Sequence, residues 1–260
     1  SLIKNNTNSF QNNNKKKILI IGNSHGRDFY KTLTSNENLT KNNDFILFLT
    51  QIDCLEDILT TGKNFCQRTF NRDKLKTLND ISNFKKSEIL ILKTRWYEDT
   101  LNSLEKTIKF LKKTNKKIIL VSDFPAFAYE ASTPYVKPKN FNKNFQQKTY
   151  YLQNLPLERY ILENNKFPNK IEIKKIEEEY YSLLNKKIIK NNIFLNQIAK
   201  KHNIIFLDHF SLICDQIKKS CLTSTSNNEI IHKDTAGHMT KYGAEFLGKK
   251  IHDNGWFRID

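Results

Sequence analysis

No run of apolar residues approaches the roughly 20 needed to cross a bilayer as a helix, so nothing in these 260 residues reads as a membrane span. The chain opens at Ser1, with neither an initiator Met nor the apolar stretch of a secretory signal. It therefore reads as a fragment or processed form, with room upstream for a membrane anchor. Arginine is scarce, at 6 of the 43 cationic side chains. The guanidinium fork is the preferred reader of phosphates and base edges, and the lysines are scattered along the chain. A net charge of +16 and a pI near 9.5 thus argue for a solvated lysine surface rather than for nucleic acid. Such a surface suits nearby anionic lipid or polysaccharide. The sequence has no Cys-x-x-Cys, and its four cysteines lack zinc-finger spacing. They fall in two local pairs, Cys54/Cys66 and Cys214/Cys221. Two short-loop disulfides in an oxidising compartment fit this arithmetic, and so do four buried thiols. Neither Gly-x-Gly-x-x-Gly nor the full pattern Gly-x-x-x-x-Gly-Lys-Ser/Thr occurs, which counts against dinucleotide and P-loop sites. No set of residues has metal-ligand spacing, so no metal and no bound cofactor is expected.

Apolar residues make up 38% of the chain, with 18 Phe and 10 Tyr, enough for a substantial core. Residues 1–14 are polar and Asn-rich and read as a flexible tether. From Lys15 onwards a single domain, 15–260, is expected. Five short apolar runs recur: Lys17–Gly22, Phe45–Leu49, Glu88–Lys93, Lys117–Ser122 and Asn203–Leu207. Continuous rather than alternating hydrophobicity predicts strands covered on both faces. Between them lie stretches of helical period: Asp28–Thr34, Arg72–Asn83, Thr100–Lys113, Lys170–His202 and Lys241–His252. The alternation predicts a three-layer α/β sandwich around a five-stranded parallel sheet. The segment Phe124–Pro168 breaks the alternation and holds the chain's prolines and many aromatics. It follows the fourth strand, at the edge where open α/β sheets bind substrates, and reads as a binding loop or partial lid, or as a packed surface excursion.

The chemistry concentrates in two places. The run Ile18–Arg27, ILIIGNSHGR, sets Ser24 directly after a buried strand and a Gly-Asn turn, at the start of a helix. There its Oγ projects at the carboxyl edge of the sheet, and helix N-terminal amides can meet an oxyanion. A serine nucleophile needs a base, and the base needs an orienting acid. Near the C-terminus, HKDTAGHMTKYGAEF places Asp234 and His238 on one turn ahead of a helix. The pair reads as the two missing members of a triad, or as a capping Asp beside a solvent-facing His.

These motifs, in this order, resemble the SGNH (GDSL-like) hydrolase superfamily, and in particular the SGNH domain fused to the carboxyl end of acyltransferase-3 membrane proteins. The resemblance runs over about residues 17–252. Asn23-Ser24-His25 matches the family's Gly-Asp-Ser-His block with Asn in place of Asp. ILKTRW, ending at Arg95 and Trp96, resembles a strand ending in Arg-Trp; typical SGNH hydrolases carry Gly-x-Asn-Asp there. ILVSDFP at 119–125 and the two cysteine pairs match as well. The final block has its acid four positions before the His rather than three.

The resemblance implies a flavodoxin-like SGNH fold, disulfides Cys54–Cys66 and Cys214–Cys221, and a triad of Ser24, His238 and Asp234. It implies oxyanion donors from the Ser24 N–H, from Gly62 in the loop after the second strand, and from Arg95. Asn23, His25 and Trp96 are candidate substrate contacts, with Trp96 either a core or a sugar-stacking aromatic. The expected activity is O-acyl transfer, most often of acetyl, onto a cell-surface glycan through an acyl-enzyme on Ser24. The donor is supplied by a membrane acyltransferase partner or upstream domain, and the location is periplasmic or extracytoplasmic, tethered to the membrane. A free-standing carbohydrate acetylesterase and an inert glycan-binding module are the alternatives.

Overall fold

The computed structural model describes residues 9–11, 13–62, 74–127 and 155–257. Five parallel strands form one sheet in the order β2-β1-β3-β4-β5: β1 Lys16–Gly22, β2 Asn43–Leu49, β3 Ile89–Leu92, β4 Lys117–Val121 and β5 Ile205–Leu207. Successive side chains of a strand point to opposite faces, and β1 shows the consequence. Ile18 and Ile20 enter one buried cluster, with Phe29, Leu33 and Leu247, while Leu19 and Ile21 enter another, with Leu55, Leu104 and Leu195. A sheet buried on both faces explains why its strands read as unbroken apolar runs.

Helices α1 Ser24–Thr34, α2 Glu37–Asn42 and α9 Lys241–Asp253 contribute to the first cluster. Helices α3 Leu55–Thr61, α4 Lys74–Lys86 and α5 Glu98–Lys112 contribute to the second. The long periodic stretch 170–202 is two helices, α7 Lys170–Ser182 and α8 Lys186–Lys201, preceded by α6 Pro156–Asn164. The break comes at Asn185, whose side chain accepts the Lys187 N–H as an N-cap, beside Leu184, which is bridged to Phe127.

One sequence expectation shifts here. The tether does not extend to residue 14, because Phe10 is buried in the second cluster and its N–H donates to Asn83 Oδ1 at 3.3 Å. Of the proposed lid, residues 128–154 lie outside the described residues. Its flanks are packed, with Phe124 and Phe127 buried and Pro156 opening α6. A hairpin of β6 Cys214–Asp215 and β7 Ser220–Cys221 carries the Cys214–Cys221 disulfide. Cys54 is also disulfide-bonded, and Cys66 lies outside the described residues.

Candidate active site

Strand β1 ends at Gly22, and α1 begins at Ser24 with no intervening loop. So sharp a turn requires the end of β3 to come very close. A Cβ on Gly22 would stand 1.7 Å from the Lys93 carbonyl oxygen, and one on Gly26 would stand 2.6 Å from it. Only hydrogen fits at either position. Asn23 completes the turn: its Oδ1 accepts the His25 N–H at 3.0 Å and the Arg95 N–H at 3.2 Å. It therefore ties the start of α1 to the end of β3. Ser24, as the first residue of α1, has an N–H with no intrahelical acceptor, at the positive end of the helix dipole.

The turn carrying His238 packs onto this edge. Gly237 sits at φ +86°, and a Cβ there would come 2.6 Å from the Pro125 carbonyl oxygen. The Phe127 N–H donates to the Thr235 carbonyl. The imidazole reaches α1: His238 Nδ1 lies 2.6 Å from Asp28 Oδ2, and its ring centroid is 5.0 Å from that of His25. Asp28 stands one helical turn beyond Ser24, on the same face of α1.

Asp234 does something other than expected. Its Oδ1 accepts the backbone N–H groups of Ala236 and His238, at 3.0 and 3.1 Å. The extra residue between this acid and the histidine closes the carboxylate onto the loop backbone, and the imidazole takes Asp28 instead. Asp234 shapes the turn, and Asp28 orients the ring. The sequence carried the signal in the i, i+4 spacing of Ser24 and Asp28, but the acid was sought next to the histidine in the chain.

Three further candidates move. Gly62 caps α3 at φ +66°, and its N–H donates to the Ile58 carbonyl, so it has no free donor for an oxyanion. Trp96 is 2% exposed, and its Nε1–H donates to the Val121 carbonyl at 3.1 Å; it is a core residue, closed to stacking on a sugar. The neighbouring Tyr97 is the exposed aromatic, with the Arg95 guanidinium 5.4 Å from its ring centroid. His25 is buried, with Nδ1 3.9 Å from Asp123 Oδ1. Desolvation, then the nearby Lys93 charge, hold it well below the usual imidazole range, so it serves as a neutral support for His238 and not as a substrate contact. Arg95 remains at the rim, its Nη1 3.5 Å from the Ala236 carbonyl in the His238 turn.

A cavity of about 740 Å³ opens beside this rim. Arg95 belongs to both, while Gln51, Tyr97, Asn185 and Asn191 supply amides and an aromatic face to the cavity wall. No helix among the described residues is long and apolar enough to cross a membrane.

A solved structure shares this architecture. The periplasmic domain of the Salmonella ser. Paratyphi A lipopolysaccharide acetyltransferase superposes with a TM-score of 0.58 at 21% identity, over 95% of this chain and 89% of that one. A GDSL-like lipase from Bacteroides thetaiotaomicron gives 0.43 at 15% identity, over 92% and 88%. No curated protein sequence matches the chain. The family model described as "SGNH domain (fused to AT3 domains)" matches residues 3–253. The chain thus belongs to the SGNH domains fused to AT3 domains, whose chemistry is that of esterases and acyltransferases.

Proposed function

We propose that the domain transfers an acyl group, most simply acetyl, to a hydroxyl of an extracytoplasmic glycan through an acyl-enzyme on Ser24. The observation that carries this reading is the 2.6 Å contact between His238 Nδ1 and Asp28, one turn from Ser24. With Nδ1–H donating to Asp28, His238 Nε2 is the free acceptor. It takes the Ser24 hydroxyl proton as Oγ attacks the donor carbonyl, and it returns that proton to the leaving group. The acceptor hydroxyl then gives its proton to the same nitrogen and attacks the acyl-Ser24 carbonyl, and Nε2 passes that proton to Ser24 Oγ as the acyl–Oγ bond breaks. The negative charge on the carbonyl oxygen is met by the Ser24 N–H and by the Arg95 guanidinium.

The cavity beside Arg95 suits a sugar, because Tyr97 offers a face and Gln51, Asp53 and Glu98 line the wall with polar groups for hydroxyls. A membrane acyltransferase domain is the source of acyl groups, consistent with the family's fusion to AT3 domains and with the acetyltransferase domain that shares the fold.

The test is turnover of p-nitrophenyl acetate with and without glycan acceptors. Acceptor-stimulated release with acetylated glycan supports transfer, and release indifferent to acceptor makes the domain an esterase. Ser24→Ala is expected to abolish both; undiminished release from that variant ends the catalytic reading.

A further inference from the structure

A second cleft, of about 750 Å³, opens where α1 meets the start of α9. It shares no lining residue with the cavity beside Arg95. Asp28 is in its wall as well as on His238. Buried Met239 and Ala244 give it an apolar side. Three lysines from three segments converge on it: Lys31 from α1, Lys233 from the His238 turn and Lys241 from the first turn of α9.

These cations are weakly engaged. Lys31 Nζ lies 3.9 Å from Asp28 Oδ1, and Lys241 Nζ lies 3.7 Å from Glu245 Oε1. Contacts this long, made by exposed lysines, hold little energy. Lys233 has no ion pair among the described residues. The hydroxyls are already committed as donors. Thr34 Oγ1 and Ser35 Oγ donate to the Tyr30 and Thr32 carbonyls, and Thr240 Oγ1 donates to the Ile230 carbonyl. The side-chain donors left to a ligand are therefore ammonium groups, which cannot accept. The α9 dipole adds its positive end at the same place. Three cations face two carboxylates, and the surplus favours an anion. Lys31 stands seven residues after Ser24, two turns and about 10 Å along α1. An anion held there belongs to a molecule that reaches past His238 from the nucleophile, as an extended polymer does and a small ester does not.

We propose that this cleft binds an anionic substituent, a carboxylate or a phosphate, of the glycan acceptor, and so selects acidic glycans over neutral ones. The proposal rests on the acyl-transfer reading above and names a substrate class for it. The sugar that takes the acyl group lies beside Arg95, and its charged neighbour along the polymer lies on the lysines.

The experiment is titration calorimetry on the Ser24→Ala chain, so that no turnover contributes. The probes are tetragalacturonate, a carboxylate glycan, and its methyl ester, the neutral counterpart. One variant adds Lys31→Gln/Lys233→Gln/Lys241→Gln. A control adds Lys170→Gln/Lys174→Gln/Lys200→Gln, which removes the same charge from exposed positions on α7 and α8. Tetragalacturonate should bind about tenfold more weakly to the cleft variant, the scale of one or two screened charge contacts, and no more than about threefold more weakly to the control. The ester should bind all three chains alike, and more weakly than the acid binds the parent. A single Lys233→Glu reversal should act in the same direction as the cleft variant. Equal losses in the cleft and control variants overturn the proposal, because net charge then explains them. So does equal binding of acid and ester, or a parent chain that binds neither at millimolar concentration. Cleft-dependent retention on phosphatidylglycerol vesicles without binding of tetragalacturonate also overturns it, and makes the anion a lipid headgroup. Labelling of Ser24 by a fluorophosphonate, measured on the unsubstituted chain, tests the catalytic reading separately. Failure to label would sink that reading and leave the binding result standing.

Discussion

Two groups of buried ionisable side chains lie in the first core and under the site, and they have different partners. Around the end of β3, the buried Lys93 ammonium donates to the Ser122 carbonyl, Asp123 accepts the Trp96 and Phe124 N–H groups and lies 3.9 Å from His25, and Asp28 holds His238. The second group, His209, His232, Tyr180 and Glu158, packs among aromatics: His209 lies 4.9 Å from Phe124, and His232 lies 5.5 Å from Tyr180. There burial removes charge instead of pairing it. His232 is pulled down to about 4, mainly by desolvation. Glu158 is pushed up to about 8, again mainly by desolvation. An unpaired ion in low dielectric gives way to its neutral form, whereas a paired one survives. The first group stands at the candidate site, with Asp28 on His238, and the second does not, so the two regions should respond to substitution in different observables.

The largest effect belongs to the charged region. Asp28→Asn keeps the shape but loses the negative charge on His238 Nδ1, and turnover should fall about 10³- to 10⁴-fold, as when a triad acid becomes an amide. Asp234→Ala removes two backbone bonds from the loop instead. It should cost about 1 kcal/mol of stability, the scale of a lost cap, with turnover down by no more than about tenfold. Turnover paired with thermal melts of both variants decides. A thousandfold loss in Asp234→Ala beside a mild Asp28→Asn would reverse the roles and dissolve the comparison.

In the neutral region the observable is stability against pH. Glu158 holds its proton in the folded state up to about 8, while the unfolded chain releases it near 4.5. Its contribution is complete below 4.5 and is lost as pH rises through 8. His232 runs the other way: its contribution is complete above 6.5 and is lost as pH falls through about 4. Glu158→Gln still offers Tyr180 OH an acceptor, as Oε2 does now at 3.1 Å, and it has no proton to lose. The variant's melting temperature should drop less than wild type between pH 5.5 and pH 8.5, measured by calorimetry. An equal drop in the two chains would show that Glu158 is already ionised in the fold.

Much of this was legible in the sequence. The five strands were visible because helices cover both faces and leave no polar alternation, as Ile18 to Ile21 show. Ser24 and His238 were visible because the strand-to-helix turn and the final helix put them at element ends. What failed was everything set by packing between distant elements. Trp96 and Tyr97 are adjacent and alike in sequence, but β4 covers the first and leaves the second exposed. Asp234 and Asp28 are both carboxylates with an i, i+4 neighbour, and only the approach of the His238 turn to α1 decides between them. Lys93 closes an apolar run with nothing in the sequence to mark it as buried, and its ammonium turns inward to the Ser122 carbonyl.

The smallest effect tests whether the neutral region serves stability alone. His209 is wholly buried between Phe29 and Phe124, near Trp256, and neither ring nitrogen has a hydrogen-bond partner among the described residues. Such a ring keeps the desolvation cost of its polar atoms, about 1–3 kcal/mol in mutational series, with nothing to offset it. Its aromatic neighbours already treat it as a hydrocarbon ring. His209→Phe matches the shape closely, adds little volume and removes the polar atoms. It should raise the melting temperature by about 2–4 °C, the shift that about 1 kcal/mol gives in a domain of this size, while leaving the rate of Ser24 labelling within about twofold. A lower melting temperature would show that the nitrogens have partners after all. A large loss of labelling would make His209 part of the charged floor, and the boundary between the two regions would then have to be drawn on its far side.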